Sequence, residues 1–376
     1  VTPAIERFLA DRQPATPCLV LDLARVAANF EAMRGAFPAA RIFYALKANP
    51  AAPILQLLAG LGCCFDAASM EEIALCLQAG APPARISFGN TIKKAGAIAQ
   101  AHAAGVDTYV FDCAAELDKI ARHAPGARVF CRLAVGTGGA VFPLARKFGT
   151  SVESAAELLL RARGLGVVPY GVSFHAGSQQ ARAEAYQAAI GQAAMVFGLC
   201  AQAGLELRMV NLGGGFPTRY QEDVPAISDF ADGIDRALKI HFGEAVPEVL
   251  VEPGRFLVGD AAVVSAEVVL ISQREAADPT RWVYLDIGRF GGLAETEGEA
   301  TRYQFRTPHD GGPDGPVIIA GPTCDSADTL YERCGYRLPL ALKEGDRVEI
   351  LATGAYVTTY ATTGFNGFRP LYEYFV

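Results

Sequence analysis

Eight short β-rich runs alternate with stretches of helical periodicity over the first two thirds of the chain, and this rhythm constrains the fold more than any other feature. The runs are 41–47 (RIFYALK), 63–69 (CCFDAAS), 85–90 (RISFGN), 108–112 (TYVFD), 128–135 (RVFCRLAV), 169–175 (PYGVSFH), 207–213 (LRMVNLG) and 248–255 (EVLVEPGR). Ser69-x-x-Glu72 and Thr150-x-x-Glu153 read as capping boxes, each ahead of an apolar stripe. The second stripe closes near Gly164, a C-cap candidate. Phe230, Ile234 and Leu238 form another stripe at i, i+4 spacing. Strand and helix repeating in this way over about 230 residues predict a (β/α)8 TIM barrel. A doubly wound parallel sheet is the alternative that the pattern alone leaves open.

After about residue 255 the texture changes. Ala261–Ile271, Trp282–Asp286, Gly315–Ile319 and Arg347–Leu351 read as strands between Gly/Pro/Asp turns, with little helix. A chain of 376 residues exceeds the usual size of one core, so two domains are expected. The barrel is assigned to 24–255. Residues 1–23 and 256–376 form a mostly β domain, sandwich-like or barrel-like, which the strand-like Pro17–Asp22 joins from the N-terminal side.

A net charge of −7 argues against nucleic acid or an anionic membrane as partner and leaves open a small cationic substrate, which an acidic pocket would favour. The apolar runs are short and interrupted, so no membrane helix is expected. Nine cysteines, an odd number and without metal-ligand spacing, fit a reducing cytoplasm and no bound metal.

In a barrel the chemistry gathers where strands end and the following loops begin. Lys47, Asp66, Asn90, Arg132, His175, Gly213–Gly215 and Glu252 all fall at such ends. Lys47 follows Phe43 and Ala45 at period two, so an inward face would partly desolvate its amine and lower its pKa. Alone, such a lysine is ordinarily surface charge. Gly213-Gly214-Gly215 closes the seventh run, where barrel phosphate sites form, and consecutive glycines let backbone N–H groups approach an anion. Ser178 adds a hydroxyl. Glu252 either pairs with Arg255 or keeps a pyridine nitrogen protonated, and His175 offers a flat ring to stack on a cofactor. In the β domain, Cys324 stands beside Asp325, and Tyr356 offers a phenol.

Taken together, these segments resemble the fold-type III pyridoxal-phosphate decarboxylases, most closely the ornithine/lysine decarboxylase group. The matching stretches are Tyr44-Ala45-Leu46-Lys47-Ala48-Asn49, Phe65-Asp66-Ala67-Ala68-Ser69, His175-Ala176-Gly177-Ser178 and Gly213-Gly214-Gly215-Phe216-Pro217. Glu252-Pro253-Gly254-Arg255, Gly321-Pro322-Thr323-Cys324-Asp325, Gly354-Ala355-Tyr356 and Phe365-Asn366-Gly367-Phe368 follow in family order. The resemblance implies pyridoxal 5'-phosphate (PLP) held as a Schiff base on Lys47, with His175 stacked on its ring and Glu252 at its pyridine nitrogen. It further implies phosphate contacts from Ser178, Gly213, Gly214, Gly215, Gly254, Arg255 and Tyr356, with Asp66 and Arg132 around them. It implies a head-to-tail homodimer with shared active sites, in which Cys324 protonates Cα and Asp325 meets the substrate in the partner's site. Lys147 and Asp328 match an intersubunit ion pair, and Phe365 lines the substrate site.

The reaction so implied is decarboxylation of a basic amino acid, with ornithine to putrescine, a step of polyamine biosynthesis, first, and then lysine and arginine. Diaminopimelate enzymes usually carry Cys-Glu where this chain has Cys324-Asp325. An alanine-racemase-like enzyme shares the two-domain plan but places an arginine at the pyridine nitrogen, against Glu252. At 286–303 (DIGRFGGLAETEGEATRY) the chain departs from the Tyr-Asp that meets the distal amine in eukaryotic ornithine decarboxylases. Glu295, Glu297 and Glu299 are the candidate replacements.

Overall fold

The computed structural model describes residues 1–142 and 147–376. These fall into two compact units: Ala27–Pro217 with Val224–Phe256, and Val1–Val26 with Thr218–Asp223 and Leu257–Val376.

The first unit is a closed barrel of eight parallel strands: Ala40–Ala45, Cys64–Ala67, Ile86–Phe88, Thr108–Phe111, Arg128–Arg132, Val168–Ser173, Met209–Asn211 and Glu248–Val251. Each overlaps one of the eight β-rich runs. The last strand closes onto the first with Val251 opposite Ile42. The doubly wound alternative is thereby excluded, because an open sheet would leave those two strands as edges. Phe43, Cys64, Val110, Phe130, Met209 and Leu250 pack as one buried cluster drawn from six of the strands, with Tyr170 against it. Burying these side chains removes apolar surface at about 25 cal/mol per Å2, which is the main force closing the barrel.

Polar groups organise the N-terminal ends of the strands. Arg41 pairs with Glu248 at 3.0 Å, the Tyr170 hydroxyl donates to Glu248, and Arg128 pairs with Asp107 at 2.7 Å. The residues with candidate chemistry lie at the opposite, C-terminal ends.

Local signals set the helices, with two shifts from expectation. Ser69 caps Met70–Gln78 as expected, its hydroxyl accepting the Glu72 N–H at 3.1 Å. The helix Val152–Gly164 is capped by Ser151 rather than Thr150, since Thr150 is drawn into a bridge with Leu133. Its left-handed terminator is Gly166, two residues beyond Gly164.

The second unit is a nine-stranded sheet built around one long strand, Ala262–Gln273. Its first half pairs antiparallel with Cys18–Leu21 and with Arg347–Leu351. A register shift between Val268 and Leu270 turns its second half toward Arg281–Leu285. The N-terminal helix Pro3–Arg12, absent from the sequence reading, starts at Thr2, whose hydroxyl accepts from the Ile5 N–H. Its Ile5, Phe8 and Leu9 pack over Cys18, Val20 and Val263. Among the described residues no helix is long and apolar enough to cross a membrane.

Candidate active site

The barrel gathers Lys47, Asp66, Arg132, His175, Asn211, Gly213–Gly215 and Glu252 at one end, each at or just past the C-terminal end of its strand. Lys47 departs from expectation. The first strand stops at Ala45, and Leu46–Ala48 form a 3-10 turn, so Lys47 does not continue the inward face with Phe43 and Ala45. Its side chain is exposed rather than desolvated by the barrel wall. Its charge nonetheless reaches its neighbours: it opposes the burial that raises the carboxyl pKa values of Asp66 and Glu252, and adds to the burial that lowers that of His175.

The glycine run is a cradle that admits no side chain. A Cβ at Gly213, Gly214 or Gly215 would lie 2.2 Å from the Phe174 carbonyl oxygen, 2.3 Å from that of Glu252 and 2.1 Å from that of Gly177. Gly213 and Gly215 also have positive φ, where a Cβ is strained. The Tyr186 hydroxyl fixes the run from behind by donating to the Gly214 carbonyl at 2.8 Å. Beside it, the buried guanidinium of Arg255 comes within 3.4 Å of the Ser178 hydroxyl. Backbone N–H groups, a hydroxyl and a guanidinium within one small region suit a phosphate dianion.

Two carboxylates share the mouth. Burial pushes the Asp66 carboxyl well up, and the like charge of Glu252 adds to the shift. Glu252 is also raised by burial, against which the Asn211 side-chain amide donates a hydrogen bond to its carboxylate. Asn211 uses its other end to accept the Gly213 N–H at 2.9 Å. One Asp66 oxygen, Oδ1, is buried with no hydrogen-bond partner among the described residues. Burial and the charges of Lys47 and Arg132 hold His175 well below its ordinary pKa, so the ring is neutral. Its Nδ1 accepts the Gly177 N–H at 3.1 Å, which leaves the proton on Nε2.

The remaining candidates belong to the β unit or the barrel's rim. Cys324 and Asp325 lie exposed on a loop, where the Cys324 N–H donates to Asn366 Oδ1 at 3.0 Å and Asp325 accepts the Ala327 N–H at 2.8 Å. Phe365 packs against Phe290 with ring centroids 4.5 Å apart, and Tyr356 lies 5.5 Å from Tyr360 at positive φ. Among the three glutamates, Glu297 is exposed and pairs with Arg289 at 2.9 Å. Glu299 accepts the N–H groups of Glu332 and Arg333, and Glu295 is buried. Lys147 is exposed above the Phe148 ring. Asp328 is only 2% exposed, its carboxylate accepting from the Arg289 N–H, the Thr323 N–H and the Thr323 hydroxyl. Within its own chain this carboxylate therefore already has a structural use.

The family described as pyridoxal-dependent decarboxylase, pyridoxal binding domain, matches residues 23–259. The chain belongs to that family. The decarboxylase is 35% identical to the lysine/ornithine decarboxylase of Selenomonas ruminantium, over 96% of this chain and 90% of that one. It superposes with a TM-score of 0.89 on the lysine/ornithine decarboxylase of Vibrio vulnificus complexed with cadaverine, at 31% identity, covering 99% of this chain and 97% of that one. The arginine decarboxylase of Paramecium bursaria Chlorella virus gives a TM-score of 0.90 at 27% identity, with 99% of each chain covered.

The site of the decarboxylase fits PLP on its own chemistry. The cradle excludes any Cβ where a phosphate would approach, and the buried Glu252 carboxylate, held by the Asn211 amide, suits the protonated nitrogen of a pyridine ring. Two residues carry no motif of their own. Asn211 sits unremarked in the seventh β-rich run, although the residue two before a glycine cradle is the natural one to brace it. Lys93 is the buried lysine that a search for a depressed pKa would select, since burial lowers it to about 8. It is held instead by Glu116 at 3.0 Å and by the carbonyls of Asn90 and Val110, each at 2.6 Å.

Proposed function

We propose that this PLP-dependent basic amino acid decarboxylase acts on L-ornithine, yielding putrescine, and also accepts L-lysine, one methylene longer. The observation that carries the PLP site is the convergence around Lys47 of a glycine cradle, a hydroxyl–guanidinium pair and the braced carboxylate Glu252. On this reading Lys47 holds the cofactor covalently. Ser178, Gly213, Gly214, Gly215, Gly254, Arg255 and Tyr356 hold its phosphate, and His175 faces its ring. Glu252 pairs with the ring nitrogen, with Asp66 and Arg132 around it. Bound PLP supplies a protonated pyridine ring that takes up the electron pair left by departing CO2.

The chain's own groups do the rest. Glu252 keeps the ring nitrogen protonated, because a carboxylate held at that point favours the cation. A neutral His175 adds a flat surface without competing for the substrate's carboxylate. The partner subunit's Cys324 delivers a proton to Cα, and the partner subunit's Asp325 attracts the cationic end of the substrate.

Glu295 is the carboxylate we assign to the distal ammonium. Its side chain is buried, unlike that of Glu297, and a buried carboxylate attracts a cation with less screening than an exposed one. The names of the relatives from Selenomonas and Vibrio support ornithine and lysine over arginine. A homodimer with Lys147 paired to the partner subunit's Asp328 belongs to the same reading. Nine free cysteines are consistent with the cytoplasm.

A CO2-release assay across ornithine, lysine, arginine and diaminopimelate tests the assignment. Ornithine should give the highest kcat/KM, with lysine second. A higher kcat/KM for arginine or diaminopimelate than for either would overturn it.

A further inference from the structure

Between the fifth barrel strand, Arg128–Arg132, and the helix Val152–Gly164, the chain forms a short strand, Ala140–Phe142, that pairs antiparallel with Ser178–Gln180. Phe142 lies opposite Ser178, and Ala140 opposite Gln180. Residues directly opposite each other in an antiparallel pair share one face, so the Phe142 ring and the Ser178 hydroxyl stand side by side. Arg255 meets both. Its Nη2 is 3.4 Å from Ser178 Oγ, and its Cζ lies over the Phe142 ring, 5.7 Å from the centroid. The same connection brings the Phe148 ring to 5.6 Å from Cζ of Arg132, a second arginine of the site.

This strand is built into the glycine cradle. The Gln180 N–H donates to the Gly215 carbonyl at 2.9 Å, and the Gln180 side-chain amide donates to the Ala176 carbonyl at 2.6 Å. A Cβ at Gly215 would fall 2.1 Å from the Gly177 carbonyl oxygen, and one at Gly177 would fall 2.3 Å from Ala140 Cβ. The glycine run, the turn at Gly177 and the strand Ala140–Phe142 are therefore stacked in contact, with no room for a side chain at either glycine. Phe142 is the ring that this stack carries to Arg255.

We propose that Phe142 is a positioning residue for the cofactor's phosphate, its ring holding the Arg255 guanidinium beside Ser178. The inference rests on the assignment of Arg255, Ser178 and Gly213–Gly215 to that phosphate. A guanidinium presents five N–H donors in one plane at the end of a long side chain. A ring at its side limits how far that plane can swing and makes no claim on its donors, which stay available to phosphate oxygens. The attraction between a cation and the negative face of a ring acts within about 6 Å and strengthens where water is excluded. Arg255 meets that condition, being only 3% exposed. An aliphatic side chain of similar size fills the same space without the attraction.

The test measures the affinity of full-length apoenzyme for PLP and for pyridoxal, which lacks the phosphate, by fluorescence quenching. Phe142→Leu should lower the affinity for PLP about three- to tenfold and leave that for pyridoxal unchanged. The preference for PLP over pyridoxal then falls by the same factor. Phe142→Tyr keeps the ring face and should keep the preference; a loss as large as that in Phe142→Leu overturns the role of the ring. An equal loss for both ligands in Phe142→Leu, or no loss for either, overturns the positioning role as well. Arg255→Met separates the proposal from the assignment beneath it. A preference that survives Arg255→Met removes Arg255 from the phosphate site, whereas one that collapses there and survives Phe142→Leu removes only Phe142. Should Phe142→Leu not fold, trifluorophenylalanine at position 142 keeps the shape and weakens the negative face of the ring. The preference should then fall about twofold; an unmoved preference overturns the proposal.

Discussion

The side-chain amide of Asn211 joins two parts of the barrel's site: it donates to the Glu252 carboxylate while its oxygen accepts the Gly213 N–H at 2.9 Å. One residue thus orients the group assigned to the ring nitrogen and braces the glycine cradle assigned to the phosphate. Replacement by alanine removes a hydrogen bond to a charged group, worth about 1.5–3 kcal/mol. Asn211→Ala should weaken PLP binding by about tenfold or more, measured by titrating apoenzyme with PLP and following fluorescence quenching. An unchanged affinity would show that Glu252 and the cradle hold their positions without it.

The mouth of the barrel makes the apoenzyme sensitive to pH. Asp66 and Glu252 have folded pKa values raised above the ordinary 3.8 and 4.5, mainly by burial. The folded state therefore binds more protons than the unfolded one. The stability these groups contribute is fully present below their ordinary values and is lost as pH rises through the raised ones. Asp66→Asn removes one of the two and relieves the like charge. Apoenzyme of this variant should lose less stability between pH 4 and pH 7, and at pH 7 should melt higher than wild-type apoenzyme by on the order of 2–4 °C. Parallel melting curves across that range would remove the buried carboxylates as the cause.

Much of the barrel is written locally. Each strand is a short apolar run with a polar residue at or just past its end, and closure follows from eight of them. Lys47 shows where periodicity fails: extending the strand by alternation puts it on the inner wall, but Leu46–Ala48 coil into a 3-10 turn and the lysine leaves that face. The Thr150 cap fails for a related reason, because a long-range bridge to Leu133 takes up that residue and passes the cap to Ser151. The helix Pro3–Arg12 did carry a signal, Thr2 before Pro3. Asn211 carried only its place two residues before the glycine run; its other partner, Glu252, lies far along the chain, and composition and spacing do not encode that pairing.

The assignment of Cys324 to a partner's site has a direct consequence for mixed dimers. Lys47→Ala and Cys324→Ala are each expected to be nearly inactive. Mixed in equal amounts with subunit exchange, they should recover about a quarter of the wild-type rate, since half of the dimers are hybrids with one of two sites intact. Exchange is verified by native mass spectrometry on tagged chains. No recovery in a mixture shown to contain hybrids would place Cys324 and Lys47 in the same chain's site.

The attachment point of the cofactor decides the account at its centre. Reducing the holoenzyme with borohydride and mapping its peptides by mass spectrometry should find the pyridoxyl phosphate adduct on Lys47. Lys47→Ala should lose both the adduct and the visible absorbance of the bound cofactor. An adduct on Lys93, the buried lysine whose pKa is lowered to about 8, or a normal absorbance band in Lys47→Ala, would contradict it.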